Sequence, residues 1–237
     1  MQRKKSGNSL RDTVKHFFII ALTVIFTGVM FTCNGQAFIT QKPYPDMMCG
    51  AYNLAFYKWL TSGKTFSENE AADRAEVVTI YNQVMFGASY SRIDVTGMGI
   101  QNFSAINNPA KMLDYAVEVL GKSTAKFYYD SNNPALVSIK KAIEANDASL
   151  VTKHSDRILA IGIPTFNVGQ YAAVLFRVGN SASLHWILCH NTGNGLVAYD
   201  PYLGKAIQIT DAQMRGTSTL EVPYSVLQSL NSCLLLE

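Results

Sequence analysis

From Arg157 to Thr210 the chain falls into short β-rich runs, RILAIGIP, AAVLFRV, LHWILCH, GLVAYD and KAIQIT, separated by clusters of Gly, Asn, Ser and Pro. Short runs rich in β-branched and aromatic residues, punctuated by turn formers, read as strands. The half before them has another grammar. Residues 50–62 put Ala51, Ala55 and Trp59 on one stripe of an amphipathic helix, with Tyr52, Phe56 and Leu60 beside it and Gly63 as terminator. Ser67 with Glu70 reads as a capping box for a helix running toward Phe86 and stopped by Gly87. NNPAKMLDYAVEVLG and NNPALVSIKKAIEAN each offer a proline, Pro109 and Pro134, at a first helical position, and Gly121 ends the first of them. Helices first and strands afterwards predict an α+β domain, an N-terminal helical half packed on a C-terminal, mostly antiparallel sheet.

Charge separates a leader from that domain. Residues 1–37 carry five Lys and Arg against Asp12 alone, leaving 15 basic and 16 acidic groups in the other 200 residues. The basic balance therefore belongs to the leader, and nothing in the domain points to nucleic acid. The basic stretch is followed by FFIIALTVIFTGVMFTC, 17 residues without a charge, and then by Gly35-Gln36-Ala37. That order predicts a signal peptide cleaved before Phe38, or an uncleaved anchor with its basic end inside. In both cases the domain 38–237 is exported, secreted or periplasmic, and touches a membrane only through the uncleaved segment. With 48% hydrophobic and 16% charged residues, the chain can bury a sizeable core. No repeat or linker divides it. Residues 87–108 form a long aperiodic stretch, either a functional loop or a surface excursion.

Cleavage leaves Cys49, Cys189 and Cys233, so an oxidising compartment implies at least one unpaired thiol. Pairing Cys189 with Cys233 would leave Cys49 free. Cys49 stands at the start of a helix, where unpaired N–H groups and the helix dipole favour a thiolate. Gly50 would let a substrate backbone approach, and the Cys49 backbone N–H can donate to a developing oxyanion. Such a nucleophile needs a base. His185 opens the strand LHWILCH, and a hairpin turning through residues 191–194 would set it directly opposite Asp200, on the same face. A turn centred on Asn194-Gly195 would instead pair His185 with Gly204. His190 faces away from His185, Cys189 lies about 13 Å along the strand from it at ~3.3 Å per residue, and no metal set forms. His154 reads as a surface-loop histidine. Tyr44, Trp59 and Trp186 read as core or cleft-wall packing.

CGAYNLAFYKWL, followed by LHWILCHNTGNGLVAYDPYLGK, resembles the papain-like cysteine peptidases. Within them it is most similar to the branch that includes the bacteriocin-leader-processing, double-glycine peptidases. Members share a helix opened by Cys-Gly, a later His-Trp strand, and an Asp-Pro ending the next strand. The resemblance, over residues 41 to about 210, implies a papain-like fold, with Cys49 as nucleophile, His185 as general base and acid, and Asp200 as the orienting carboxylate. The family's oxyanion-hole glutamine stands six residues before the cysteine, where this chain has Pro43. Gln41 takes that role if KPYP loops out two residues. Leader-processing members come joined to an ATP-driven transporter, absent from these 237 residues, so their substrates do not carry over.

The expected function is hydrolysis of a peptide or isopeptide bond in a peptide or protein substrate, through a Cys-His-Asp triad and a thioester acyl-enzyme, with no cofactor and no metal. Two alternatives stay open: a transglutaminase-like acyl transferase or deamidase, and an inactive papain-like module that binds peptide. Substrate identity and oligomeric state are left open.

Overall fold

The structure, a computed structural model, describes residues 39–41, 47–64, 70–86, 107–180 and 183–237. The expected leader, the proposed Ser67 cap, Gly87 and most of the loop 87–108 lie outside the described residues, as do Pro43 and Tyr44. No helix of the described residues is long and apolar enough to cross a membrane.

The helices come first: α1 (Cys49–Ser62), α2 (Glu70–Val84) and α3 (Pro109–Glu118). Strand β1 (Lys126–Tyr128) precedes α4 (Pro134–Asn146), α5 (Ala148–Lys153) and β2 (Ile158–Leu159). Then follow β3 (Tyr171–Val178), β4 (Leu184–Asn191), β5 (Leu196–Asp200), β6 (Lys205–Ile209), α6 (Asp211–Met214), β7 (Leu220–Val222) and β8 (Ser225–Leu236). The fold is α+β. One eight-stranded sheet runs β2-β1-β8-β3-β4-β5-β6, with β7 paired to β8. Only the β1–β2 pair is parallel.

Local chemistry explains the helix ends. Gly63, at φ 68°, closes α1 with its N–H on the Trp59 carbonyl. Asn108 and Asn133 cap α3 and α4, each side chain accepting backbone N–H groups, just ahead of Pro109 and Pro134. Helix α3 stops at Glu118, before Gly121.

Helix α1 is not amphipathic. It buries residues on every side, including Ala51, Tyr52, Leu54, Ala55, Phe56 and Trp59, as the central helix of the core. That core joins the helices to Trp186, Leu188, Val197 and Tyr199 on one face of the sheet. A second core lies on the other face, with Val174, Ile187, Cys189, Ala198 and Cys233 meeting Phe166, Met214 and Leu220. Burial on both faces makes the central strands near-continuous apolar runs.

One pairing that the sequence left open is answered here, and one expectation, for His154, needs correction. Cys189 and Cys233 are free and buried, not bonded. They oppose Ala172 and Val174 on either side of β3, so two strand spacings of ~4.8 Å separate them, beyond disulfide reach. His154 is not a surface-loop residue. It is 2% exposed after α5, with Nε2 2.8 Å from Asp114 Oδ1.

Candidate active site

The site forms where β4 and β5 part. Their ladder runs from Asn191↔Leu196 to Leu188↔Tyr199, so the hairpin turns through residues 192–195. This register lies between the two foreseen, and Tyr202, not Asp200, falls across from His185. Asp200 is its diagonal neighbour. Because the slip is two residues it preserves the face, and diagonal partners remain within reach of long side chains. His185 Nε2 stands 2.9 Å from Asp200 Oδ1, with both residues fully buried.

Beyond the last rung of that ladder, the Trp186 N–H donates to Cys49 Sγ at 3.3 Å. The structure brings together the three residues that helix-start placement, strand alternation and the family resemblance point to. Helix α1, packed against β4, delivers the thiol from its first residue. His185 Nε2 is taken by Asp200, and the Cys49 thiol neighbours the ring. Burial pulls the imidazole pKa down, but the Asp200 hydrogen bond and the neighbouring Cys49 outweigh it and hold His185 up at about 9. Burial also works against the Asp200 carboxylate, yet donation from His185, Tyr224 and the Tyr202 N–H keeps it below its ordinary value. A thiol beside an imidazole that keeps its proton to high pH, itself held by a carboxylate, can attack a carbonyl and then protonate a leaving group.

Gln41 is fully buried, and its backbone N–H donates to the carbonyl of Pro201, the residue after Asp200, at 2.9 Å. Its neighbour is pinned too, the Thr40 carbonyl accepting from Tyr52 Oη and Arg74.

Gly50 does not leave room for a substrate. Asn107 fills the space, its Oδ1 accepting the Gly50 N–H at 2.7 Å, and a Cβ on Gly50 would lie 2.7 Å from Asn107 Cβ. Asn107 thereby anchors the first turn of α1 next to Cys49. Gly50→Ala should cost about 1–3 kcal/mol of stability through this overpacking, read as a lower melting temperature. Unchanged melting would show that Asn107 does not define the turn.

The sequence reading missed Asn107, Tyr202 and Tyr224. Asn107 closes the aperiodic stretch 87–108, whose length was the only signal. Tyr224 follows Pro223 in the β7–β8 turn, where no local pattern marks it. Trp59 and Trp186 are buried in the core, and Trp59 Nε1 donates to Glu76 at 2.8 Å. His190 stacks on Tyr171 at 3.9 Å, away from the site. Among the described residues, no group of three or more His, Cys, Asp or Glu side chains could hold a metal.

No protein-family model, curated protein or solved structure matches this chain.

Proposed function

We propose that this chain is an exported thiol hydrolase of the papain-like kind, most simply a cysteine peptidase. The observation that carries the reading is the buried His185–Asp200 pair at 2.9 Å beside a cysteine on the first turn of a helix. The resemblance of the sequence and the proximity of Cys49, His185 and Asp200 both support this reading.

In this reading His185 takes the Cys49 proton, and Sγ attacks the amide carbonyl carbon to give a tetrahedral oxyanion. The Cys49 N–H, with Gln41 as its partner, stabilises that oxyanion. Collapse breaks the C–N bond, and the imidazolium gives its proton to the leaving amine. His185 then takes a proton from water, whose oxygen attacks the thioester. The acid leaves, and the proton returns to the thiolate. Asp200 holds the ring's far nitrogen throughout, keeping the other aimed at sulfur.

A peptidyl thiol-trapping electrophile should label the full chain at Cys49 alone, read by peptide mass, and peptide substrates should gain the mass of water on cleavage. Transfer of the acyl group to an added amine would make the chain an acyl transferase. Absence of both labelling and turnover would leave a peptide-binding module.

A further inference from the structure

We propose that Tyr224 is a positioning residue for the triad carboxylate, its phenol donating to Asp200 Oδ2 so that Oδ1 stays turned to His185. The proposal rests on the thiol-hydrolase reading above.

Asp200 is fully buried, and its two oxygens are unequally served. Oδ1 accepts from His185 Nε2 at 2.9 Å and from the Tyr202 N–H at 2.8 Å. Oδ2 accepts from Tyr224 Oη at 2.7 Å. Take the phenol away and a buried carboxylate oxygen loses its donor, which is costly. The carboxylate would then be freer to swing about its Cβ–Cγ bond away from the imidazole, which would lose its fixed partner.

The phenol suits this task. Although the residue is 37% exposed, the buried part of its environment and the adjacent carboxylate push its pKa up, so the phenol keeps the proton it donates. Its ring also packs against the imidazole edge-on at 6.2 Å, and Tyr202 does the same at 4.8 Å. The two tyrosines lie 5.1 Å apart, so His185 is fenced by rings on the side where Asp200 enters. Tyr224 is itself held by a two-residue connection, since Val222 pairs with Ser225 in the β7–β8 ladder. A side chain presented from a tight hairpin is held more closely than one on a long loop.

The test is the rate at which iodoacetamide alkylates Cys49, followed at its own peptide by mass, from pH 4 to 9. Four full-length proteins are compared: wild type, Tyr224→Phe, Asp200→Ala and the double variant. Tyr224→Phe keeps the ring and removes one oxygen, and a melting curve checks its fold. It should slow alkylation at pH 6 by about three- to tenfold, a typical coupling for one hydrogen bond in such a network. The fall in rate toward acid should also begin at higher pH, because Asp200 with one donor fewer takes up a proton sooner. In the Asp200→Ala background the same change should have less than about a twofold effect.

An unchanged rate and profile in Tyr224→Phe would overturn the proposal, and so would an equal factor in both backgrounds, which marks a merely structural role. A wild type that shows this coupling yet cleaves no peptide would defeat the peptidase reading and leave the role of Tyr224 standing.

Discussion

Cys49→Ala and His185→Ala are each expected to lower peptide turnover by about four orders of magnitude or more, and the double variant to be no worse than the worse single one. In the proposed mechanism the two groups act as one device: a thiol without its base and an imidazole without its nucleophile would both fail at the same step. Their stabilities should diverge. Cys49→Ala removes one small buried group that accepts a single N–H, from Trp186, so it should melt within a few degrees of wild type. His185→Ala strips a fully buried carboxylate of its partner and should be destabilised by about 3–5 kcal/mol. Kinetics with melting curves on all three variants check both parts. A folded Cys49→Ala protein retaining a percent or more of its turnover would take sulfur out of the mechanism.

Asp200→Ala should move the alkaline limit of activity down by about one to three pH units, from a wild-type limit near the His185 value of about 9. The sign follows from the charges. An anion beside the imidazolium favours its charged form, and removing it leaves burial, which favours the neutral ring. Asp200→Asn keeps an acceptor for Nε2 and should lose far less activity than Ala. Stability alone does not discriminate, because Asp200 Oδ1 also accepts the Tyr202 N–H two residues on, a turn bond that any Ala variant loses. The pH profile does, since a turn bond has no bearing on the imidazole's proton. The same pair makes wild-type stability depend on pH. His185 is raised above its unfolded value of about 6.5, so its contribution is complete below that pH and disappears as pH rises through about 9. Unfolding measured between pH 6 and 10 should show this slope in wild type and a much weaker one in Asp200→Ala. An Ala variant with unmoved limits would reduce Asp200 to a turn residue.

Much of the site was legible because it is written in local rules. Gly63, Pro109 and Pro134 punctuate helices by their own backbone preferences, and strand alternation put His185 and Asp200 on one face for any even slip of register. The absolute register was not legible. Residues 191–195 offer several turns of similar quality, and the sheet, not the turn, selects among them. Strand β8 escaped for a related reason: its apolar run has no alternation, because both faces of the sheet are covered. His154 looked exposed beside Lys153, Ser155 and Asp156, and only the fold brings Asp114 to it from 40 positions earlier. Asn107 and Tyr224 lie 57 and 24 positions from their partners and follow no motif, so contact distance alone hid them.

Strand β8 is also the seam of the molecule. It lies between β1 and β3, so until it is seated the helical half's strands and the β3–β6 meander have no shared ladder. Pairings that span more than a hundred residues, such as Lys126 with Leu235, close late and slowly, after local hairpins have formed. The turn that leads into β8 carries Tyr224, so zipping the seam and dressing the Asp200 carboxylate are one event. By the same measure the His185–Asp200 contact, 15 positions apart, can form early, whereas the contact of Cys49 with Trp186 spans 137 positions. Under the proposed function, a chain whose β8 is not yet seated would lack the Tyr224 donor to Asp200, so the site is expected to be complete only in the fully folded molecule.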